Sequence, residues 1–387
     1  MTPTHAQLDA EVDRLGPALD ELSRDLHAHP ELRFQEVRAA AKVAELVERA
    51  GVRVERGLAG LPTALRARVG GAGPRIAILA EYDALPELGH ACGHNLIAAG
   101  AAGAFLALAA HAVALPGTVE LVGTPAEEGG GGKILLLDAG VFAGVDAAMM
   151  FHPFHRDILM HTALASTWLA VTFRGTPSHA AAAPWDGASA LTACLDTFRL
   201  VDGQRAHLRD GARVHGIVTD GGRAVNVVPE RAAAEFSVRA RDLAELARVR
   251  AVVERCARAA ALASGVEVDV EVRSGYKDMR NNAALAARFG EHLATLGRAA
   301  RMTAPEVGAG STDMGDVSHA VPAIHPWIAI CGADEATIHQ RAFAEIAASD
   351  RGAEGMRLAA KAMARLTLDV LTDAALRAEL RSEFDAR

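Results

Sequence analysis

Apolar residues recur at helical spacing from about Leu8 to Ala50, broken at the HAHPEL turn around Pro30. This pattern predicts two helices, the second closing at Gly51. After the Gly-Gly-Ala-Gly-Pro turn at 70–74 the rhythm changes, and RIAILA at Arg75–Ala80 reads as a short apolar strand. An alanine-rich helix at 96–115, a strand at Thr118–Gly123, a helix at 133–138 and a strand at 146–151 are expected next. Strands apolar on both faces, alternating with helices, predict an α/β layer around a largely buried sheet.

The middle of the chain has a different order. Strands are expected at 168–173, 213–219, 232–239 and 266–272, with helices at 187–208 and 243–263. That order, β-α-β-β-α-β, is one ferredoxin-like unit. A helix at 282–296, a loop at 303–322, a strand at 327–330 and a long C-terminal helical region then resume the first pattern. Neither flanking part looks closed by itself. The predicted fold is therefore α/β: a mixed-sheet domain with helices on both faces, formed by residues 1–165 and 277–387 and interrupted by the small unit at 166–276.

Composition narrows the function classes. A chain of 387 residues suits two domains, and half of it is hydrophobic while only 4% is aromatic, so Ala, Val, Leu and Ile must do most of the packing. The charge of -8 comes from 48 acidic and 40 basic side chains spread along the chain, with no basic run to follow a phosphate backbone; no nucleic-acid partner is expected. Cys92, Cys194, Cys256 and Cys331 lie far apart, which suits a reduced, cytoplasmic setting better than a disulfide framework. The N-terminus lacks the basic start and apolar stretch of an export signal. Segment 96–115 barely reaches the roughly 20 residues of a membrane span and carries His111, so a buried helix and no membrane partner are expected.

Candidate chemistry gathers after the apolar strands. In His90-Ala91-Cys92-Gly93-His94-Asn95, a thiolate and an imidazole two residues apart could converge on one borderline metal ion, although Cys-x-His alone is a weak signal. Glu127 and Glu128 follow the next strand. One could bind metal while its neighbour takes a proton from an activated water; an exposed acidic turn is the bland alternative. His152 ends the third strand, and open α/β sheets gather sites beyond the carboxyl ends of their strands. His339 is the natural distant ligand, and Asp83 is placed to hold a ligand imidazole or to cap a turn before Pro86. In the small unit, His179 could donate to a developing oxyanion, and Arg223 or Asn226 could hold a substrate carboxylate or carbonyl, though turns also favour Gly and Asn for conformational reasons. The loop at 308–316, with Ser311 and Thr312, is polar enough to line a substrate pocket and equally plausible as plain surface. The other histidines carry no comparable argument and are read as structural or surface residues.

Together, AEYDALPELGHACGHN, TPAEEGGGG, MMFHP, RGTPSHAAAAPWDGASA, GGRAVNVVPE and the late TIHQ resemble the M20 metallopeptidases. The likeness is to their amidohydrolase branch, with aminobenzoyl-glutamate hydrolase and the M20-domain-containing dipeptidases, and it runs over nearly the whole length. It implies a catalytic domain interrupted by a lid that also forms a homodimer, and two divalent ions, zinc or manganese. It makes Cys92, His94, Glu128, His152 and His339 the metal ligands, Glu127 the general base, His179 the donor to the tetrahedral intermediate, Asn226 a substrate contact and Asp83 the supporting aspartate. Two positions depart from the wider pattern: Glu81 stands where a metal-binding histidine is usual, and Asn95 where many branch members have aspartate. The expected activity is hydrolysis of an amide in a small dipeptide or an N-acyl or aminobenzoyl amino acid. A deacylase of aromatic or xenobiotic conjugates and a noncatalytic binding or oligomerisation module are the alternatives.

Overall fold

The computed structural model describes residues 2–273, 275–305, 307 and 310–387. The chain divides into two compact units, Met1–Thr162 with Met279–Arg387, and Ala163–Asp278.

The larger unit is built on a six-stranded sheet. Across it run Val54–Arg56, Leu65–Gly70, Thr118–Gly123, Arg75–Ala80, Ala147–Met149 and Ala323–Ile324. The first two are antiparallel additions, whereas the last four are mutually parallel. Alternation along the strands feeds two cores. Ile76 and Ile78 pack into one with Leu19, Phe105 and Met356, from the helices His5–Ala28, His94–Ala109 and Asp350–Thr372. Ala77 and Leu79 face the other, with Leu136, Met314 and Val317 from the short helices Gly132–Asp138 and Met314–Ser318. Covering both faces is what makes these strands read as continuous apolar runs.

Three local expectations are corrected. The alanine-rich helix is His94–Ala109, and every residue from His94 to Leu108 is buried. No described helix is long and apolar enough to cross a membrane. The strand expected at 146–151 stops at Met149; His152–Phe154 then pairs in parallel with Trp327–Ala329 in a separate ribbon. Pro153 has no N–H for a central ladder, which suits it to this two-stranded ribbon. The 303–322 stretch, expected as loop, contains the helix Met314–Ser318.

The smaller unit follows the order Ala165–Arg174, Ala190–Gln204, Arg213–Asp220, Arg231–Ala240, Leu243–Ser264 and Glu267–Arg273, that is, β-α-β-β-α-β. Its antiparallel sheet runs Glu267–Arg273, Ala165–Arg174, Arg231–Ala240, Arg213–Asp220. Leu169, Val171 and Phe173 pack with Cys194 and Val201 of one helix and Val249 and Val253 of the other. The edge strand Arg213–Asp220 leaves Ile217 and Val218 exposed. All four cysteines are free thiols.

Candidate metal centre

The parallel strands end together: Ala80 is in register with Gly123, and Ile78 with Met149. The chain leaving the first strand carries Glu81 and Asp83, the second Glu127 and Glu128, and the third His152. Cys92 and His94 arrive at the start of the buried helix His94–Ala109. Between them Gly93 adopts φ 74°, and a Cβ there would lie 2.4 Å from the Pro153 ring, so only glycine fits this turn. His339 is brought in by its own backbone, whose N–H donates to the Ala91 carbonyl at 2.9 Å.

These side chains form three overlapping groups: Cys92, His94 and His152; Cys92, Glu128 and His339; and His94, Glu127 and Glu128. Within each group the ligand atoms lie within 4.8 Å of one another. Asp83 is buried and divides its carboxylate between two tasks. One oxygen is 3.2 Å from His94 Nδ1, and the other accepts the Glu128 backbone N–H at 2.9 Å. Nδ1 of His152 is likewise 2.7 Å from the Pro153 carbonyl, leaving its Nε2 3.7 Å from Cys92 Sγ. Each imidazole is thus anchored by one nitrogen and presents the other to the cluster.

Burial sets the electrostatics. It raises the Cys92 thiol well above its ordinary pKa, reinforced by Glu128, and lowers His152 to about 4, helped by His94. His94 goes the other way: burial would lower it, but Glu81 and Asp83 outweigh that and hold its pKa well up. Burial together with Glu81, Glu128 and Asp313 lifts Glu127 far above the usual carboxylate range. The buried atoms His94 Nε2, Glu81 Oε1 and Glu128 Oε1 have no hydrogen bond. Interiors seldom leave such atoms unsatisfied, and a thiol, imidazoles and carboxylates converging here fit divalent cations.

The model of peptidase family M20/M25/M40 matches residues 77–365. The chain belongs to the M20 peptidase family. It is 38% identical over 397 residues to the Xaa-Arg dipeptidase of Mus musculus, covering 97% of this chain and 91% of that protein. It is 30% identical over 440 residues to one of the p-aminobenzoyl-glutamate hydrolase subunits of Escherichia coli K12, covering 94% and 91%. Among solved structures, a dinuclear metal binding M20 peptidase from Bacillus subtilis superposes with a TM-score of 0.72 at 24% identity, over 93% of this chain and 99% of that one. The aminobenzoyl-glutamate utilization protein of Klebsiella pneumoniae gives 0.75 at 21%, over 95% and 99%. Family membership makes this M20 chain a hydrolase.

Sequence reasoning passed over a buried charge cluster beside these side chains. Lys133 is fully buried, with Nζ 2.6 Å from Glu81 and 2.7 Å from Asp313, while its backbone N–H donates to the other Asp313 oxygen at 3.0 Å. Burial opposes its charge, but Asp313 and Glu81 outweigh that and keep the amine protonated. Glu81 reaches to 3.3 Å from His94 Nε2 with its other oxygen. One signal was available: Lys133 is one of four lysines in a chain whose basic residues are nearly all arginine.

In the smaller unit, His179 is exposed, and its Nδ1 accepts the N–H groups of Ala181 and Ala182 at 3.3 and 3.2 Å, so a neutral ring carries its proton on Nε2. Ala180 N–H donates to the Asn226 carbonyl at 3.0 Å, bringing His179 and Asn226 to one rim; Arg223 is exposed nearby in sequence. In the 308–316 loop, Gly308 and Ala309 lie outside the described residues. Thr312 is buried, and its hydroxyl accepts the Met314 N–H at 3.2 Å, a bond made within the loop, while Ser311 is half-buried.

Proposed function

We propose that this chain is a metal-dependent amidohydrolase that cleaves a small dipeptide or an N-acyl or aminobenzoyl amino acid, with Glu127 as the general base. The observation that carries this reading is the convergence of Cys92, His94, Glu128, His152 and His339, from separate stretches of the chain, in overlapping groups, with the Glu127 carboxylate beside His94 and Glu128. Similarity to the Xaa-Arg dipeptidase over nearly the full length makes dipeptides ending in a basic residue the first substrates to test, and aminobenzoyl-glutamate the second.

In this reading the five side chains hold two divalent cations; the thiol and imidazoles suit zinc, and manganese is tolerated by the carboxylate. When bound, the cations supply Lewis acidity to a water molecule and to the amide carbonyl. Glu127 takes the proton of the attacking water and returns it to the leaving nitrogen; bound cations would favour its ionised form against the upward push of burial and its acidic neighbours. The amide carbon gains the water oxygen and loses the amine, giving a carboxylate and an amine. Asp83 fixes the tautomer of His94 and the backbone of Glu128. His179, with its Nε2 proton, donates to the carbonyl oxygen, and Asn226, Arg223, Ser311 and Thr312 contact the substrate.

The smaller unit serves as a ferredoxin-like lid and dimerisation domain in this account. Its edge strand supports the second role, since Ile217 and Val218 are exposed on an unpaired edge where a second copy would pair. The test of the central role is Glu127→Ala. Turnover of a cleavable dipeptide should fall by orders of magnitude while metal content stays near that of the unaltered protein; near-normal hydrolysis by the variant would remove Glu127 as the base.

A further inference from the structure

Glu36 lies far from the metal-centre residues in sequence, in the PELRFQE stretch that precedes the second helix. Its side chain is fully buried, and although Glu36 stands at the N-cap position of that helix, the side chain makes no capping hydrogen bond to it. One carboxylate oxygen instead accepts two backbone N–H groups at 2.9 Å, from Phe34 and from Ala126. The other accepts the Thr63 hydroxyl at 2.9 Å. The carbonyl of Thr63 in turn accepts the hydroxyl of Tyr82, which sits between Glu81 and Asp83.

Ala126 immediately precedes Glu127 and has φ 61°, a left-handed conformation that costs a non-glycine residue energy unless its surroundings impose it. The Glu36 contact is what meets its N–H. On the other side of Glu127, the N–H of Glu128 is held by Asp83 at 2.9 Å. Two buried carboxylates from different parts of the chain therefore grip the backbone on either side of the one side chain proposed to move a proton.

We infer that Glu36 is a positioning residue for the general base: it holds Ala126 left-handed, and so fixes the direction in which the Glu127 carboxylate points. The inference rests on the reading of Glu127 as base, but the clamp itself is a property of the loop. Because Asp83 holds Glu128 independently, loss of Glu36 displaces the base more than the ligand. Displacement of a reacting group by about 1 Å costs on the order of 100-fold in rate.

Three variants test this: Glu36→Leu, Glu36→Gln and Thr63→Val. In the unaltered protein, hydrogen exchange at the Ala126 amide, followed by mass spectrometry without added metal, should be slow. In Glu36→Leu it should speed up by at least about tenfold, while global unfolding by urea stays cooperative. With metal supplied, kcat of Glu36→Leu should fall by about 10- to 100-fold, with KM and metal stoichiometry little changed. Glu36→Gln preserves an acceptor for both N–H groups and should recover most of kcat and of the exchange protection. Where Glu36→Leu fails to fold, Thr63→Val, which removes one of the three donors, should show a smaller loss of kcat and of protection in the same direction. A folded Glu36→Leu with normal Ala126 protection and normal kcat overturns the inference, as does an unchanged Thr63→Val where the leucine variant does not fold. If the unaltered protein hydrolyses no amide, the functional reading fails, while exchange at Ala126 still decides whether the clamp exists.

Discussion

Asp83 Oδ1 lies 3.2 Å from His94 Nδ1, and both side chains are buried. The contact selects which imidazole nitrogen faces the cluster, and the second Asp83 oxygen simultaneously holds the backbone of Glu128. One carboxylate thereby orients two proposed ligands. Asp83→Ala should weaken metal binding by roughly 10- to 100-fold, as loss of such supporting groups does elsewhere. Competition against a fluorescent chelator measures it; an unchanged affinity would show that His94 and Glu128 are oriented without Asp83.

Metal binding should release protons. Burial keeps the Cys92 thiol protonated at neutral pH, and Glu81 and Asp83 outweigh burial to keep His94 protonated. Cations that take both must displace about two protons, one from each group. Calorimetric titration of metal-free protein in buffers of different ionisation enthalpy gives this number directly. Cys92→Ala should lower both the proton count and the metal occupancy.

Lys133 balances two buried carboxylates, Glu81 and Asp313. Lys133→Met leaves both without their cation, a loss on the order of 3–5 kcal/mol for a buried pair broken from one side. Urea unfolding of the metal-free variant should show it as a reduced midpoint. A variant as stable as the unaltered protein would mean that the carboxylates find another partner or take up protons at little cost.

A second polar cluster stabilises the larger unit away from the strand ends. Asp369 is 2.7 Å from His5 Nε2, 2.9 Å from His292 Nε2 and 2.9 Å from Arg288. Burial pushes its pKa up, but the His292 and Arg288 hydrogen bonds outweigh it and bring it down to about 2. The folded value is below the unfolded one, so the stabilisation is present above the unfolded pKa and is lost as pH falls through the folded pKa. Asp369→Asn should therefore lower stability by about 2 kcal/mol at neutral pH, and the difference from the unaltered protein should shrink between about pH 4 and about pH 2. A difference that does not change over that range would contradict the pairing.

The strands Arg75–Ala80 and Thr118–Gly123 and the helix His94–Ala109 were legible because burial on both sides leaves an uninterrupted apolar signature. Leu65–Gly70 was not, since LRARVG places Arg66 and Arg68 between apolar residues on a strand whose alternate side chains are covered less completely. Cys92, His94, Glu127, Glu128 and His152 could be named as candidates because each lies beyond the end of a strand that the sequence marks, Arg75–Ala80, Thr118–Gly123 or Ala147–Met149. Lys133, Asp313 and Glu36 could not. Their contacts span 52 positions from Lys133 to Glu81, 180 from Lys133 to Asp313, and 90 from Glu36 to Ala126, so no local spacing marks them. Only the fold brings these charges together.

The most direct measurement is amine release from a panel of Xaa-Arg and other dipeptides, N-acyl amino acids and aminobenzoyl-glutamate by chelator-treated protein, as zinc or manganese is added in measured amounts. The account predicts no turnover without metal, and turnover that rises with added cation and levels off near about two equivalents per chain. Hydrolysis unaffected by exhaustive chelation, or saturable metal binding with no substrate of the panel cleaved, would contradict it.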